Sequence, residues 1–284
     1  MKAVDELLAR RPPNPIYHYT TQLGLLGIIE ERKIWATMSR YLNDVSEFVL
    51  AQEVAREVVT DRKKFERDSS TQKLLDDLKG AIDNSGINVC VCAFSANGDS
   101  LSQWRAYSGG GTGYAIGFDP EKLRNAAGKS GYILAPCIYE EGEQLSLMNR
   151  IVQETLDENV ALLQEGTYLE DLPGGNFSYY LNRYALIIKN VAFKEEQEWR
   201  LISRPTSYKR EGVSFRPGRS TIIPYQEIPI TDEKDRLPIN DVIVGPAPRP
   251  DEAAQAVRGL LISRQELSLK PTHVTNSVIP YCNW

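Results

Sequence analysis

Two short runs constrain the fold most: "INVCVCAFS" at residues 87–95 and "GYAIGFD" at residues 113–119. Each is apolar at nearly every position instead of every second one. A strand with one wet face alternates, so a continuous apolar run predicts a strand buried on both sides. Such strands belong in the middle of a sheet with further layers packed above and below.

The rest of the chain supplies those layers. In "SEFVLAQEVAREVVTDRKKFERD", Phe48, Ala51, Ala55, Val58 and Val59 form an apolar stripe at helical spacing. Met148, Val152, Leu156, Val160 and Leu163 form another. The break "LPGGN" separates that helix from "FSYYLNRYALIIKN". Further helices are expected in "TQLGLLGIIEERK", which Thr21 can cap, in "TQKLLDDLKGAI", in "PEKLRNAAGKSG" and in "DEAAQAVRGLLISRQ". Strands are expected in "IYHYT", "IWAT", "YILAPCIY", "EWRLIS", "VSFRPG", "TIIPYQEIPI", "DVIVGP" and "HVTNSVIPY". The stretch "ANGDSLSQWRAYSGGGT" between the two apolar runs is expected to be a loop with one helical turn. Repeats and long linkers are absent from the 284 residues. The expected fold is one α+β domain over 1–284, with a mixed, mostly antiparallel sheet, flanking helices and a helical-pair insertion at 141–192.

A net charge of −5 gives no global footprint for nucleic acid. Apolar runs stay well short of the ~18 residues a membrane helix needs. The start "MKAVDELLARRPPNP" has no apolar signal core, and a cytoplasmic location with no membrane partner is expected. Cys90, Cys92, Cys137 and Cys282 include no CxxC pair, and the chain holds only two histidines. Buried thiols are expected, and no metal site.

Several stretches are candidates for chemistry. In "FKEEQEWRLIS", strand alternation puts Glu196, Glu198 and Arg200 on one face, opposite Gln197, Trp199 and Leu201. That face is either solvated or the wall of a cleft where two repelling carboxylates beside an arginine do acid–base or cation-stabilising work. In "IYHYT", His18 and Thr20 share one face, and Tyr17 and Tyr19 the other. "DSLSQWRAYS" brings Trp104, Arg105 and Tyr107 together, as a ligand-stacking platform or as ordinary aromatic packing. In "RYLNDVSE", Asn43 or Asp44 caps the following helix or faces a ligand beside His18. "SGGGTGYAIGF" precedes a strand instead of a helix, so it is not read as a phosphate loop. "RPTSYKREG…RPGR" gathers Arg204, Lys209, Arg210, Arg216 and Arg219, a local basic patch for a nucleic-acid acceptor or a nucleotide's phosphates.

In their order, "YHYT…GLLGII…KIWAT…LNDVSE", "VCAFS…SLSQWRAYSGGGTGYAIGFD", "KEEQEWRLI", "DVIVGP" and "SVIPY" resemble the bacterial family called domain of unknown function 2971 (DUF2971). A first-strand histidine and a late Glu-x-Glu strand also resemble ADP-ribosyltransferases, in which NAD lies in the cleft of a split sheet. That resemblance implies an NAD-using enzyme, a transferase or NAD glycohydrolase, of a toxin or anti-phage defence system. NAD would be its substrate, with a protein or nucleic-acid acceptor and no metal. By position Glu198 would be the catalytic glutamate, Glu196 the acid two residues earlier, and His18 a contact to the NAD ribose. The cofactor-binding set would be His18, Tyr19, Thr20, Asn43, Ser95, Trp104, Tyr107 and Arg200. "AFSANGDS" offers only Ser95 for a Ser-Thr-Ser motif, and the triad tyrosine stays open among Tyr19, Tyr41 and Tyr107. The alternative is a non-catalytic nucleotide-sensing or protein-binding module. The NAD assignment requires His18 and Glu198 to line one cleft.

Overall fold

A computed structural model describes residues 2–42, 46–86, 88–109, 111–165, 174–209, 212–218, 220–264 and 273–280. The strands are β1 (Ile16–Thr20), β2 (Lys33–Met38), β3 (Cys90–Ser95), β4 (Tyr114–Phe118), β5 (Ile133–Pro136), β6 (Glu198–Ile202), β7 (Val213–Pro217), β8 (Ile222–Pro229), β9 (Ile239–Val244) and β10 (His273–Asn276). The helices are α1 (Lys2–Leu8), α2 (Gln22–Glu31), α3 (Ser46–Phe65), α4 (Ser69–Asp83), α5 (Leu101–Tyr107), α6 (Pro120–Lys129), α7 (Glu141–Gln164), α8 (Gly174–Tyr184) and α9 (Pro250–Ser263). Among the described residues the fold is α+β, with one ten-stranded open sheet in the order β10-β9-β4-β1-β3-β2-β8-β7 and β6 and β5 added beside β3. Every strand pair is antiparallel except β9 with β10.

The sheet forks at β3. β6 pairs along one edge of β3 through five residues, from Val91↔Ile202 to Ser95↔Glu198. The other edge is shared. β2 holds only its start (Thr37↔Val91, Met38↔Cys90), and β1 holds only its end (Tyr17↔Ser95). The two wings, β1-β4-β9-β10 and β2-β8-β7, therefore diverge from the middle of β3. Helix α2 connects them. Thr21 caps it by accepting from the Gly24 N–H at 3.2 Å, and Leu25, Ile28 and Ile29 bury its inner face.

The apolar runs behave as double-sided strands. Cys90, Cys92, Phe94, Trp199 and Leu201 enter a core with Ile16, Ile116, Phe118 and helices α2, α6 and α9. Val91, Ala135 and Ile202 enter a second core, against α1, α3, α4, α7 and α8. Neighbouring residues of one strand thus reach different cores, as a pleat of period two demands. The helical pair expected within 141–192 is α7 with α8, and both pack in the second core. Helix α1 was not foreseen in the sequence, and the loop before β4 carries a full helix, α5. Cys90, Cys92 and Cys137 are buried free thiols, and burial alone pushes Cys90 up to about 12. Cys282 lies outside the described residues. No helix among the described residues is long and apolar enough to cross a membrane.

Candidate functional site

On the second-core side of the fork, β6 carries a cluster of buried charges. Glu198 and Arg200 point the same way, as strand alternation requires, and both are almost fully buried. Arg200 donates from Nε to Glu198 Oε1 at 2.6 Å, and from its terminal nitrogens to Glu47 at 2.6 and 2.8 Å and to Glu198 Oε2 at 3.0 Å. It also donates to the Leu186 carbonyl. Lys189 completes the cluster with an ion pair to Glu198, another to Glu196 at 2.5 Å and a looser one to Glu47 at 3.4 Å. Three carboxylates thus surround two cations.

Protonation follows from the pairing. Burial alone would raise the Glu198 pKa, but Arg200 and Lys189 outweigh it and hold the carboxyl below its ordinary value. Burial works to lower Lys189, yet the Glu198 charge and the hydrogen bonds Lys189 donates to both glutamates hold it above the usual lysine range. Arg200 is likewise held well above its ordinary value despite burial. Glu198 is therefore a fixed anion with no free proton to give. Around it, Tyr139 Oη accepts from the Glu198 N–H at 2.9 Å, and Ser95 Oγ donates to the Glu196 carbonyl at 2.7 Å.

Glu196 is the cluster's link to solvent. Its side chain is 21% exposed, against 7% for Glu198 and 3% for Glu47. It lies in a 3-10 turn (Val191–Glu196) and not on the strand, because Gln197 turns the chain in the left-handed region at φ 44°. The expectation of three acidic and basic groups on one strand face is corrected to two on the strand and one on the turn before it. A concavity of 330 Å³ opens nearby, lined by Ser46, Glu47, Val49, Leu50, Glu53 and Asn190.

The middle of β3 is bare on this same side. Ala93, the register partner of Arg200, is exposed although it sits on a central strand. The half-exposed Tyr107 closes the end of α5, and burial together with Glu198 and Glu196 raises its pKa.

The other candidates go elsewhere. His18 is on the opposite side of the sheet. Tyr17 is in register with Ser95 and so shares the Glu198 side, while His18 alternates to the first-core side. There its ring lies 5.7 Å from Phe94, and its Nδ1 lies 3.7 Å from Cys92 Sγ. Nδ1 donates to the Ala93 carbonyl at 2.9 Å, which bridges the gap where β1 leaves β3. Burial lowers its pKa, so the ring is held neutral. His18 and Glu198 do not line one cleft.

Tyr19 and Trp104 form packing, not a platform. Their rings meet edge-on at 4.7 Å, and Trp104 is 1% exposed. Trp104 Nε1 donates to Asp99 at 2.7 Å, and Tyr19 Oη donates to the Asn97 carbonyl at 2.8 Å. Gly245 is required there, since a Cβ would stand 2.9 Å from the indole. Thr20 abuts the first turn of α2, with its Oγ1 where a side chain on Gly24 would go. Asn43 lies outside the described residues, as do Asp44, Arg210 and Arg219.

The structure thus joins Glu196, Glu198, Arg200, Ser95 and Tyr107 from the expected set and adds Glu47 and Lys189. Lys189 had a signal: it is the one charge within the apolar run "ALIIKNVAF". Glu47 sits in the first turn of α3, at the end of "RYLNDVSE". Among the described residues no group of three or more His, Cys, Asp or Glu is arranged to hold a metal ion.

No curated protein and no solved structure gives a significant match to the chain. Residues 103–201 match the family model described as "Protein of unknown function (DUF2971)". That segment carries most of α5, with Lys189, Glu196, Glu198 and Arg200, and its match supports the assignment of the chain to the DUF2971 family.

Proposed function

We propose that the protein is an NAD-using, ADP-ribosyltransferase-like enzyme whose chemistry runs on the Glu196 side of the sheet; the form of this reading that needed His18 and Glu198 in one cleft fails, because the sheet separates them, and no histidine contact to the ribose is retained. The observation that carries this is the forked sheet, bare at Ala93, with β6 and its acidic cluster on the next strand. It resembles the split sheet in which ADP-ribosyltransferases hold NAD. In such a reaction the ribose–nicotinamide C–N bond breaks and its electron pair leaves with nicotinamide. The ribosyl cation left behind is stabilised by a fixed carboxylate and captured by water or by a nucleophile of a protein or nucleic-acid acceptor, whose proton goes to solvent.

Glu196 is the carboxylate assigned to that role, because it alone of the three reaches solvent appreciably. Glu198 becomes a positioning residue: it anchors Lys189, which anchors Glu196. A Glu196→Gln variant should keep its fold and lose nicotinamide release by at least a hundredfold. Unchanged release would remove Glu196 from the mechanism. A role as a toxin or defence effector belongs to the same reading, with growth arrest on expression, abolished by Glu196→Gln, as its sign.

One observation favours the non-catalytic module instead. The charges of Glu198 and Arg200 are satisfied within the protein, which suits a binding site that does no chemistry. Calorimetric binding of NAD with no nicotinamide released from the wild type would select that reading.

A further inference from the structure

In the basic stretch after β6, Arg216 takes no part in the charge cluster. On the β2-β8-β7 wing, Arg216 places its guanidinium 6.0 Å from the centre of the Trp35 ring. One terminal nitrogen donates to Thr37 Oγ1 at 3.1 Å. Its buried Nε has no acceptor among the described residues, and no carboxylate there pairs with it. Trp35 is 44% exposed, although it lies on an inner strand of the sheet. Tyr225 backs it, with ring centres 4.5 Å apart. The nearest acid by register, Glu227 opposite Trp35, is paired with Lys33 at 2.6 Å.

Register places this pair relative to the site. Thr37 is the partner of Val91, which is buried in the second core, so Trp35 and Thr37 share that side of the sheet with Ala93, Arg200 and Glu198. The open middle of β3 lies between the Trp35 wing and the Tyr107 end of α5.

We propose that Trp35 and Arg216 form the subsite for the base and phosphate of a nucleotide, the adenylate half of NAD. The exposed indole supplies a flat face for a purine. The guanidinium of Arg216 beside it, which no carboxylate pairs among the described residues, supplies the cation for a phosphate. This deepens the function proposed above by naming where the non-reacting half of that substrate sits. Arg216 and Trp35 touch no reacting bond, so they are binding residues, not catalytic ones.

The test is calorimetric titration of the full chain with AMP, adenosine and inorganic phosphate. Wild type should bind AMP at least tenfold more tightly than adenosine. Trp35→Ala should weaken AMP at least tenfold, and Arg216→Ala should erase the preference for AMP over adenosine. Trp35→Phe and Arg216→Lys, which keep ring and charge, should retain part of the affinity and guard against a folding defect. Absence of AMP binding by wild type at millimolar concentration, or equal affinity in Trp35→Ala, overturns the subsite. The two proposals fail separately. AMP binding that depends on Trp35 with no nicotinamide release leaves the subsite standing and removes the enzyme. Nicotinamide release with AMP affinity untouched by either substitution does the reverse.

Discussion

Replacing Arg200 by methionine tests the charge cluster most directly. The substitution roughly keeps the length of the side chain and removes the guanidinium. Two carboxylates lose their main partner: Glu47, held at 2.6 and 2.8 Å, and Glu198, held at 2.6 and 3.0 Å. The Leu186 carbonyl loses its donor as well. Lys189 then faces three carboxylates alone. Removing one partner of a buried ion pair costs about 3–5 kcal/mol, because the remaining charge stays desolvated. That is a third or more of the whole stability of many domains, ~5–15 kcal/mol. Urea unfolding of wild type and variant gives the difference from the midpoint, with the slope unchanged.

The pH dependence carries a second signature. In wild type the Glu198 pKa lies below its ordinary value of 4.5, so its stabilisation is present above that pH and is lost as the solution is acidified. In the variant burial dominates and the carboxyl pKa rises. The variant should therefore gain stability relative to wild type as pH falls from about 7 to about 5. A loss under about 1 kcal/mol, the scale of an exposed pair, with no change in the pH profile, would refute the reading of these residues as one interdependent buried cluster.

Other consequences are accessible to simpler measurements. His18→Gln should lose about 1 kcal/mol with the Ala93 hydrogen bond, and nicotinamide release should persist. Since the folded His18 pKa lies below its ordinary 6.5, wild type should lose stability as pH falls through that value, and His18→Gln should show a flatter profile there. Asp99 accepts from Trp104 Nε1, Ser277 Oγ and the Val278 N–H, so Asp99→Asn should cost about 1–3 kcal/mol and lower the Tm by several degrees.

Much of the local structure was legible in the sequence because it follows from short-range rules. The apolar stripes of α3 and α7 and the Thr21 cap of α2 depend on neighbours within a turn or two. The two-sided burial of β3 was readable from its lack of alternation everywhere but at Ala93, which is exposed. The shared direction of Glu198 and Arg200 follows from the pleat. The grip on Glu198 was not legible, since Glu47 meets Arg200 from 153 positions away. Nor was the displacement of Glu196 from the strand, which rests on the left-handed Gln197.

Sequence by itself determined which groups alternate: His18 against Tyr17 and Tyr19, and Glu198 with Arg200 against Trp199. Only the tertiary structure decided which of those sets meet. The register Tyr17↔Ser95 sends His18 to the core of Phe94 and Cys92 and leaves the Glu198 side to the tyrosines. A slip of one residue would exchange the two sets with no change in the local pattern. The physical reason is that alternation fixes relative direction along one strand, while pairing between strands distant in sequence fixes what each direction faces. The forked sheet, the bare Ala93 and the Trp35–Arg216 pair all belong to that second kind of information.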